Sequence, residues 1–200
     1  PMRLSVQSFQ RKFDPNDPNV VEKVNEYSHT LIQQIDTMSS IASAFSTYAK
    51  MPAQKDETLD LVKTTKLALD IFNEDYIYFY PRETEIISKF DRTQLIRVIT
   101  NLVKNSIQAI EKQSPEDPRI EVRIFSEDQF NVITVSDNGS GISEENKDKV
   151  FEPKFTTKSS GMGLGLAMVK NIVETYGGHI SLQSVEGKGT TFTVSIPQKL

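Results

Sequence analysis

The sequence predicts an α+β chain in two parts: a helical hairpin that would form a four-helix bundle as a dimer, then an α/β sandwich. Three observations lead there. An apolar seam runs at spacings of three and four from Val21 to Ala49. Met51-Pro52-Ala53-Gln54-Lys55 then breaks it. Beyond that point helical and alternating periods succeed one another, with mainly hairpin-like strands, which suits one helical layer on a sheet. The expected divisions are residues 1–51 for part of the hairpin, 52–58 for a linker and 59–200 for the sandwich.

In order along the chain, Met2, Val6, Phe9 and Phe13 mark one face of a first helix, and Asp14-Pro15-Asn16-Asp17-Pro18 ends it. Asp17 or Asn19 is positioned to cap the next helix, whose seam is Val21, Val24, Ser28, Leu31, Ile35, Met38, Ala42, Phe45 and Ala49. Val20, Tyr27, Ile41 and Tyr48 widen that stripe, and a stripe so wide fits a four-helix bundle better than a two-stranded coil. The other reading packs the hairpin on its own C-terminal domain. A helix is then expected over 59–72, strands over 76–80 and 85–89, and a long helix over 93–112. Ile120, Val122 and Ile124 alternate as a strand, and Val132 to Val135 form another. Leu164 to Tyr176 reads as a helix stopped by Gly177-Gly178, before two final strands around Ile180 and Phe192.

Composition narrows the chemistry. The 200 residues contain 37% hydrophobic and 25% charged residues, as a soluble globular chain does. The absence of Cys excludes disulfides, a thiol nucleophile and thiolate-bound zinc. His29 and His179 are too few for a histidine-rich metal site. A net charge of −4 argues against a nucleic-acid partner. No apolar run reaches the roughly 18 residues of a membrane span, so membrane attachment would come only through segments outside this chain. The chain opens on Pro1 with no signal-peptide pattern and reads as a piece of a longer protein.

Three features carry chemistry. Asp137-Asn138-Gly139-Ser140-Gly141 follows a strand directly, so a carboxylate at a strand end meets glycines that admit a close ligand. That suits a flat base with an exocyclic amine, although Asp-Asn-Gly is also an ordinary turn. Gly161-Met162-Gly163-Leu164-Gly165 enters a helix, whose N-terminal N–H groups favour phosphate. Asn101 and Asn105 lie one turn apart on the helix before Asp137, and an amide oxygen is a fit ligand for magnesium.

Together and in this order, the three resemble the nucleotide-binding domain shared by sensor histidine kinases, type II topoisomerases, mismatch-repair ATPases and related chaperones. Asn101-Leu102-Val103-Lys104-Asn105 is similar to its asparagine motif, and Asp137 to Gly141 to its first glycine motif. Phe151-Glu152-Pro153-Lys154-Phe155-Thr156-Thr157-Lys158 resembles the phenylalanine motif bordering the kinase ATP lid. Gly161 to Leu166 and Gly187-Lys188-Gly189-Thr190-Thr191-Phe192 resemble the last two glycine motifs. The likeness covers residues 55–200. Topoisomerase-type ATPases carry a general-base Glu where this chain has Asn101, so the sequence resembles the branch that transfers phosphate to a protein side chain. The hairpin agrees, and locally it is similar to nitrogen-regulation sensor kinases.

The resemblance implies an α/β sandwich of the histidine kinase, topoisomerase and chaperone type that binds ATP and Mg2+. Asn105 would hold the metal. Nucleotide contacts would come from Asn101, Lys104, Asn105, Asp137, Gly139, Gly141, Ile142, Lys158, Gly161, Gly163, Leu164, Gly165, Leu166, Thr190 and Thr191. It also implies a homodimer through the hairpin, a response regulator receiver domain as partner, and a cytoplasmic location with any inner-membrane anchor elsewhere in the parent protein. The γ-phosphoryl would pass to a His upstream of Pro1 and then to a response regulator Asp. The alternative is a nucleotide-binding dimerisation or phosphatase platform without kinase activity. His29 reads as a solvated residue beside the seam, and His179 as a strand-edge or packing residue. Lys104 and Lys158 either supply positive charge to phosphates or are solvated surface lysines. Two departures stand out: Gln108 replaces a common basic residue, and Ser106 stands where Ala is common. Ser159-Ser160-Gly161 is expected to be mobile without nucleotide.

Overall fold

The computed structural model describes residues 6, 9, 11, 13, 14, 17–49, 57–153 and 163–198, with side chains in the long helix given as far as residue 35, residue 34 excepted. The chain divides into two compact units, one of them the N-terminal helical segment. Each is described by itself.

In the helical unit, Val6, Phe9 and Arg11 are helical, and helix α1 runs Val20–Ala49. Both candidate caps take part in its start. The Asn19 carbonyl accepts the Lys23 N–H at 3.1 Å, which makes Asn19 the capping position. Asp17 Oδ1 accepts the Asn19 N–H at 2.8 Å, and its Oδ2 pairs with Lys23. The Lys23 bond, with the Asn19 amide, holds the Asp17 carboxyl below its ordinary range. Phe9 stacks on Tyr27 with ring centroids 4.1 Å apart, so the first segment folds back on α1. Val24 and Leu31 of the seam are half-buried, whereas Val21 is 71% and Ile35 52% exposed. The seam positions from Met38 onward, and the linker residues 52–56, lie outside the described side chains.

The second unit begins with β1 (Glu57–Asp60), so residues 57 and 58, expected in a linker, already belong to a strand. It pairs antiparallel with β3 (Ile87–Phe90). The helix expected over 59–72 is shorter, α2 (Leu61–Leu69). Asp60 is the reason: its backbone is extended and its side chain caps the Val62 N–H at 2.9 Å, which fixes the helix start one residue later. Helix α3 (Arg92–Gln113) opens in the same way on Asp91, which caps Gln94 at 3.0 Å.

A five-stranded sheet has the order β2-β4-β5-β7-β6. Its strands are β2 (Ile77–Pro81), β4 (Ile120–Glu127), β5 (Phe130–Asp137), β6 (His179–Val185) and β7 (Gly189–Pro197). The β2–β4 pair is parallel; the other pairs are antiparallel hairpin or cross-sheet neighbours. One helical layer covers one face. Ile120, Val122, Ile124, Ile133, Val135, Val194 and Ile196 meet Leu95, Val98, Ile99, Leu102 and Val103 of α3 in a core where each is at most 2% exposed. Fully burying each such side chain stabilises by roughly 1.5–3 kcal/mol, so this layer dominates the fold. A short helix α4 (Glu144–Lys147) follows β5, and α5 (Gly165–Thr175) precedes β6. Tyr176, just past α5, stacks on Phe90 at 3.8 Å and its hydroxyl accepts the Asp91 N–H at 3.1 Å. The end of α5 is thereby pinned to the start of α3. His29 is exposed on α1, and His179 opens edge strand β6, where its ring meets Phe130 edge-on at 5.6 Å.

Candidate functional site

The site gathers at one end of the sheet, where β5 finishes and α3 and α5 pass. Asp137 is the last residue of β5 and is 7% exposed. Its position follows from register: it pairs with Ile120 on one side and Thr190 on the other, so its side chain turns to the helical face. Gly139 donates its N–H to Asp137 Oδ1 at 3.0 Å, and Ser106 on α3 donates its hydroxyl to Oδ2 at 2.8 Å. Burial pushes the Asp137 carboxyl above the ordinary value; the Gly139 amide, the Ser106 hydroxyl and the Thr190 amide oppose the rise without cancelling it. A carboxylate held in this state gains from a ligand that donates a hydrogen bond to it.

The loop after Asp137 lies hard against α3. A Cβ on Gly139 would stand 2.5 Å from the Ala109 carbonyl carbon, and Ser140 donates its N–H to the Ala109 oxygen at 3.0 Å. Gly141 has φ +64 and no room for a side chain, since a Cβ would lie 2.2 Å from the Val185 oxygen. Ile142, half-buried, donates its N–H to Ser184 Oγ at 2.9 Å. Ser184 also bonds the Gly189 carbonyl and the Thr190 hydroxyl, each at 2.9 Å, so this one side chain ties the loop to the start of β7. Neither Ser184 nor Ser106 is among the residues expected to form the site. Ser184 leaves no signal in the sequence, because a serine in an alternating strand reads as surface. Ser106 does leave one, as a polar residue on the apolar face of α3.

Asn101 and Asn105 are both half-buried on α3. Asn101 donates its amide N–H to the Arg97 carbonyl at 2.7 Å, which turns its Oδ1 toward α5. There a Cβ on Gly165 would lie 2.9 Å from that oxygen, so the start of α5 lies against the Asn101 side chain. The residue at the α5 N-cap is Leu164, which is buried and has no side-chain cap to offer. The first N–H groups of α5, at Gly165 and Leu166, therefore depend on something other than their own cap. Gly163 precedes the Leu164 cap, and Lys104 is exposed on α3.

The structure gathers Asp137, Gly139, Gly141, Ile142 and Thr190 around the end of β5, and separately sets Gly165 against Asn101 on α3. It turns Thr191, expected as a nucleotide contact, away from the first group: Thr191 alternates to the opposite sheet face and bonds Ser136 at 2.8 Å. Phe151, which begins the phenylalanine motif, meets Phe192 of β7 edge-on at 6.4 Å. Lys158 and Gly161, with the rest of residues 154–162, lie outside the described residues. Among the described residues no cluster of three or more His, Asp or Glu could hold a metal, and no helix is long and apolar enough to cross a membrane.

A mixed sheet covered by α3 and α5, with a buried carboxylate at the end of β5 and a helix opened by glycine, fits an ATP-binding domain. The chain belongs to the family of histidine kinase-, DNA gyrase B-, and HSP90-like ATPases, whose model matches residues 90–200. Its similarities point to the kinase branch. It is 28% identical over 98% of its length to nitrogen regulation protein NtrY of Azorhizobium caulinodans, and 31% identical over 96% to sensor histidine kinase ZraS of Salmonella typhimurium. It spans 26% and 42% of those two relatives, respectively. The catalytic domain of histidine kinase ThkA, solved nucleotide-free, superposes with a TM-score of 0.64 and 29% identity, covering 72% of this chain and 97% of that one.

Proposed function

We propose that this chain is the ATP-binding catalytic part, with part of the dimerisation hairpin, of a protein-histidine kinase in a two-component system. The observation that carries the reading is a pair of features set on the same helix α3: the buried Asp137 carboxyl bonded to Ser106, and the α5 N-terminus, without a side-chain cap, set against Asn101. The carboxylate accepts a hydrogen bond from the amine of adenine, and the first N–H groups of α5 take the phosphates. Asn105 is the protein ligand for magnesium. Its amide oxygen is the type of donor that ion prefers, and magnesium is often shared with substrate phosphates. When bound, the ion neutralises phosphate charge. The chain's own residues position: Gly139, Ile142 and Thr190 set the base pocket, and Gly163 to Leu166 set the phosphate end.

The γ-phosphoryl passes from ATP to an imidazole nitrogen of a histidine upstream of Pro1; a P–N bond forms, the bond to the β-phosphate oxygen breaks and ADP leaves. It then moves to an aspartate of a response regulator. Asn101 is no base, and its amide is engaged by the Arg97 carbonyl, so hydrolysis has no activating group at that position. Phosphoryl transfer relies mostly on placement and charge, which this site supplies. Dimerisation through α1 is supported by its exposed seam residues Val21 and Ile35.

The test is to incubate the parent protein, extended upstream of Pro1, with γ-labelled ATP and magnesium. Acid-labile label on the protein is expected. Label released only as free phosphate would make it an ATPase, and nucleotide bound without turnover would leave the non-catalytic platform. For the metal, Asn105→Ala is expected to abolish the magnesium-dependent part of ATP affinity; an equal loss with and without magnesium would remove Asn105 as the ligand.

A further inference from the structure

Three hydroxyls on the helices of the second unit bond back along their own helix, Thr64 to the Asp60 carbonyl at its start among them. Thr100 returns its Oγ1 to the Ile96 carbonyl at 2.8 Å, and Thr175 to the Asn171 carbonyl at 2.7 Å. Ser106 does something else. It is 0% exposed on α3, and its hydroxyl reaches across to β5 to donate to Asp137 Oδ2. We propose that Ser106 is a specificity-determining residue of the base pocket: by donating to Asp137 it fixes that carboxylate as a pure acceptor, and so selects a purine with an exocyclic amine over one with an oxo group. This rests on the reading that Asp137 faces the base.

The argument is one of donor and acceptor counting. An ionised carboxylate has about four lone-pair sites and no proton to give. Gly139 fills one site on Oδ1 and Ser106 one on Oδ2, and the Thr190 amide donates as well. The sites left over can only accept. A 6-amino purine meets them with an N–H. A 6-oxo purine meets them with another acceptor, and two buried oxygens are then left facing each other, the arrangement from which polar pockets draw their largest discrimination. Without the hydroxyl, Oδ2 loses a partner in a buried setting. Burial already lifts the Asp137 carboxyl, and Ser106 is one of the groups opposing that lift. A protonated Asp137 could donate to an oxo group, so the discrimination would relax. Among the described residues Ser106 is the side chain that donates to Asp137: Asn101 and Asn105 each differ from it in helical azimuth, and Ser184 is spent on Ile142, Gly189 and Thr190.

The test is calorimetric titration of the 200-residue chain with ATP and with inosine triphosphate, in wild type, S106A, D137N and the double variant. S106A is expected to lower ATP affinity about tenfold, as loss of a hydrogen bond to a charged group does, while inosine triphosphate affinity holds or rises. In the D137N background S106A should leave the ATP preference unchanged. S106C, which keeps a weaker donor of similar volume, should fall between wild type and S106A. A parallel loss for both nucleotides in S106A would show that Ser106 only packs, and would overturn the proposal. An unchanged preference in S106A beside a collapsed one in D137N would overturn it too, leaving the base-reading role of Asp137 standing. A preference that survives D137N would overturn that role itself.

Discussion

Two aspartates sit at strand ends in this domain, and they are treated oppositely. Asp60 ends β1 and caps α2. Burial pushes its carboxyl up, but Lys63 and the amides of Ile86, Lys63 and Val62 outweigh this and hold it below the ordinary range. Asp137 ends β5 and caps no helix. Its partners are fewer, burial wins, and its carboxyl is raised. The helices repeat the contrast: α2 and α3 start on Asp60 and Asp91, whereas α5 starts on Leu164. At Asp60, which serves only the fold, the Lys63 ammonium offsets the buried charge. Where hydrogen bonding is left incomplete, at Asp137 and α5, the missing partner is a ligand with a donor at one end and an anion at the other.

The hardest way to break the site half of this comparison is at its hinge. Gly189 opens β7 with φ +126, and a Cβ there would lie 1.9 Å from the Asp137 carbonyl oxygen. Backbone strain alone costs about 1–3 kcal/mol, and a collision with backbone cannot be relieved by turning a side chain. Gly189→Ala is therefore expected to destabilise by more than about 3 kcal/mol in denaturant unfolding. A loss under about 1 kcal/mol would show that β5 and β7 do not meet as described. Gly187→Ala isolates the strain from the collision, because Gly187 has φ +74 but nothing lies within 4 Å of its would-be Cβ.

Asp137→Asn comes next and should move two quantities in opposite directions. ATP binding is expected to weaken by about 1.5–3 kcal/mol, the range for a hydrogen bond to a charged group. The nucleotide-free fold should gain stability at neutral pH. The folded carboxyl titrates above its unfolded value of about 3.9, so between the two the folded chain keeps a proton that the unfolded chain has lost. Stability therefore falls as pH rises through that window, and the ionised group remains a cost above it. The gain from Asn should be present at pH 7 and vanish below about 3.9. Unfolding curves at both pH values check this; a loss of stability at pH 7 would place Asp137 with the structural aspartates.

How far this contrast could be read without coordinates differs by residue. The glycine clusters, Asp137 and the paired asparagines of α3 were legible because each breaks an otherwise regular pattern: glycines before a helix, a carboxylate at the end of an apolar strand, amides within an amphipathic helix. The α+β class and the long helices were legible for the same reason that α3 is stable, an unbroken apolar face. The β1 strand was not. Four residues, Glu57-Thr58-Leu59-Asp60, are too few to show a period, and Leu59 continues the spacing of the helix that follows. The parallel pairing of β2 with β4 is a long-range choice that no local pattern encodes. The facing of Thr191 away from Asp137 turns on a one-residue register, which flips every side chain of a strand. Ser106 and Ser184 were missed because a hydroxyl's value depends on its partner across the fold, 31 residues away for Ser106.

The scaffold half predicts the reverse pH behaviour. Asp60→Ala should cost about 0.5–2 kcal/mol as a lost cap, toward the upper end because Ile86 is bonded as well. Its carboxyl is depressed, so its contribution is present above the unfolded value and is lost as pH falls through the folded one. The penalty of Asp60→Ala should thus shrink in acid, while the gain of Asp137→Asn also disappears there. A penalty independent of pH would mean that Asp60 acts by shape and not by charge.

The smallest effect tests the narrowest contact. Alanine at position 165 should favour α5 by up to about 1 kcal/mol over glycine, yet its Cβ would press on Asn101 Oδ1. That oxygen ends a side chain held by the Arg97 carbonyl, so it can yield only by giving up or bending a 2.7 Å bond. The two terms nearly cancel, and Gly165→Ala alone is expected to shift stability by less than about 0.5 kcal/mol. The cancellation is visible only in a cycle. With Asn101→Ala already present the press is gone and the helix gain should appear in full, giving a coupling of roughly 0.5 kcal/mol or more between the sites. Additive effects would mean that α5 does not start against Asn101, and the phosphate end of the site would then lack the contact that places it.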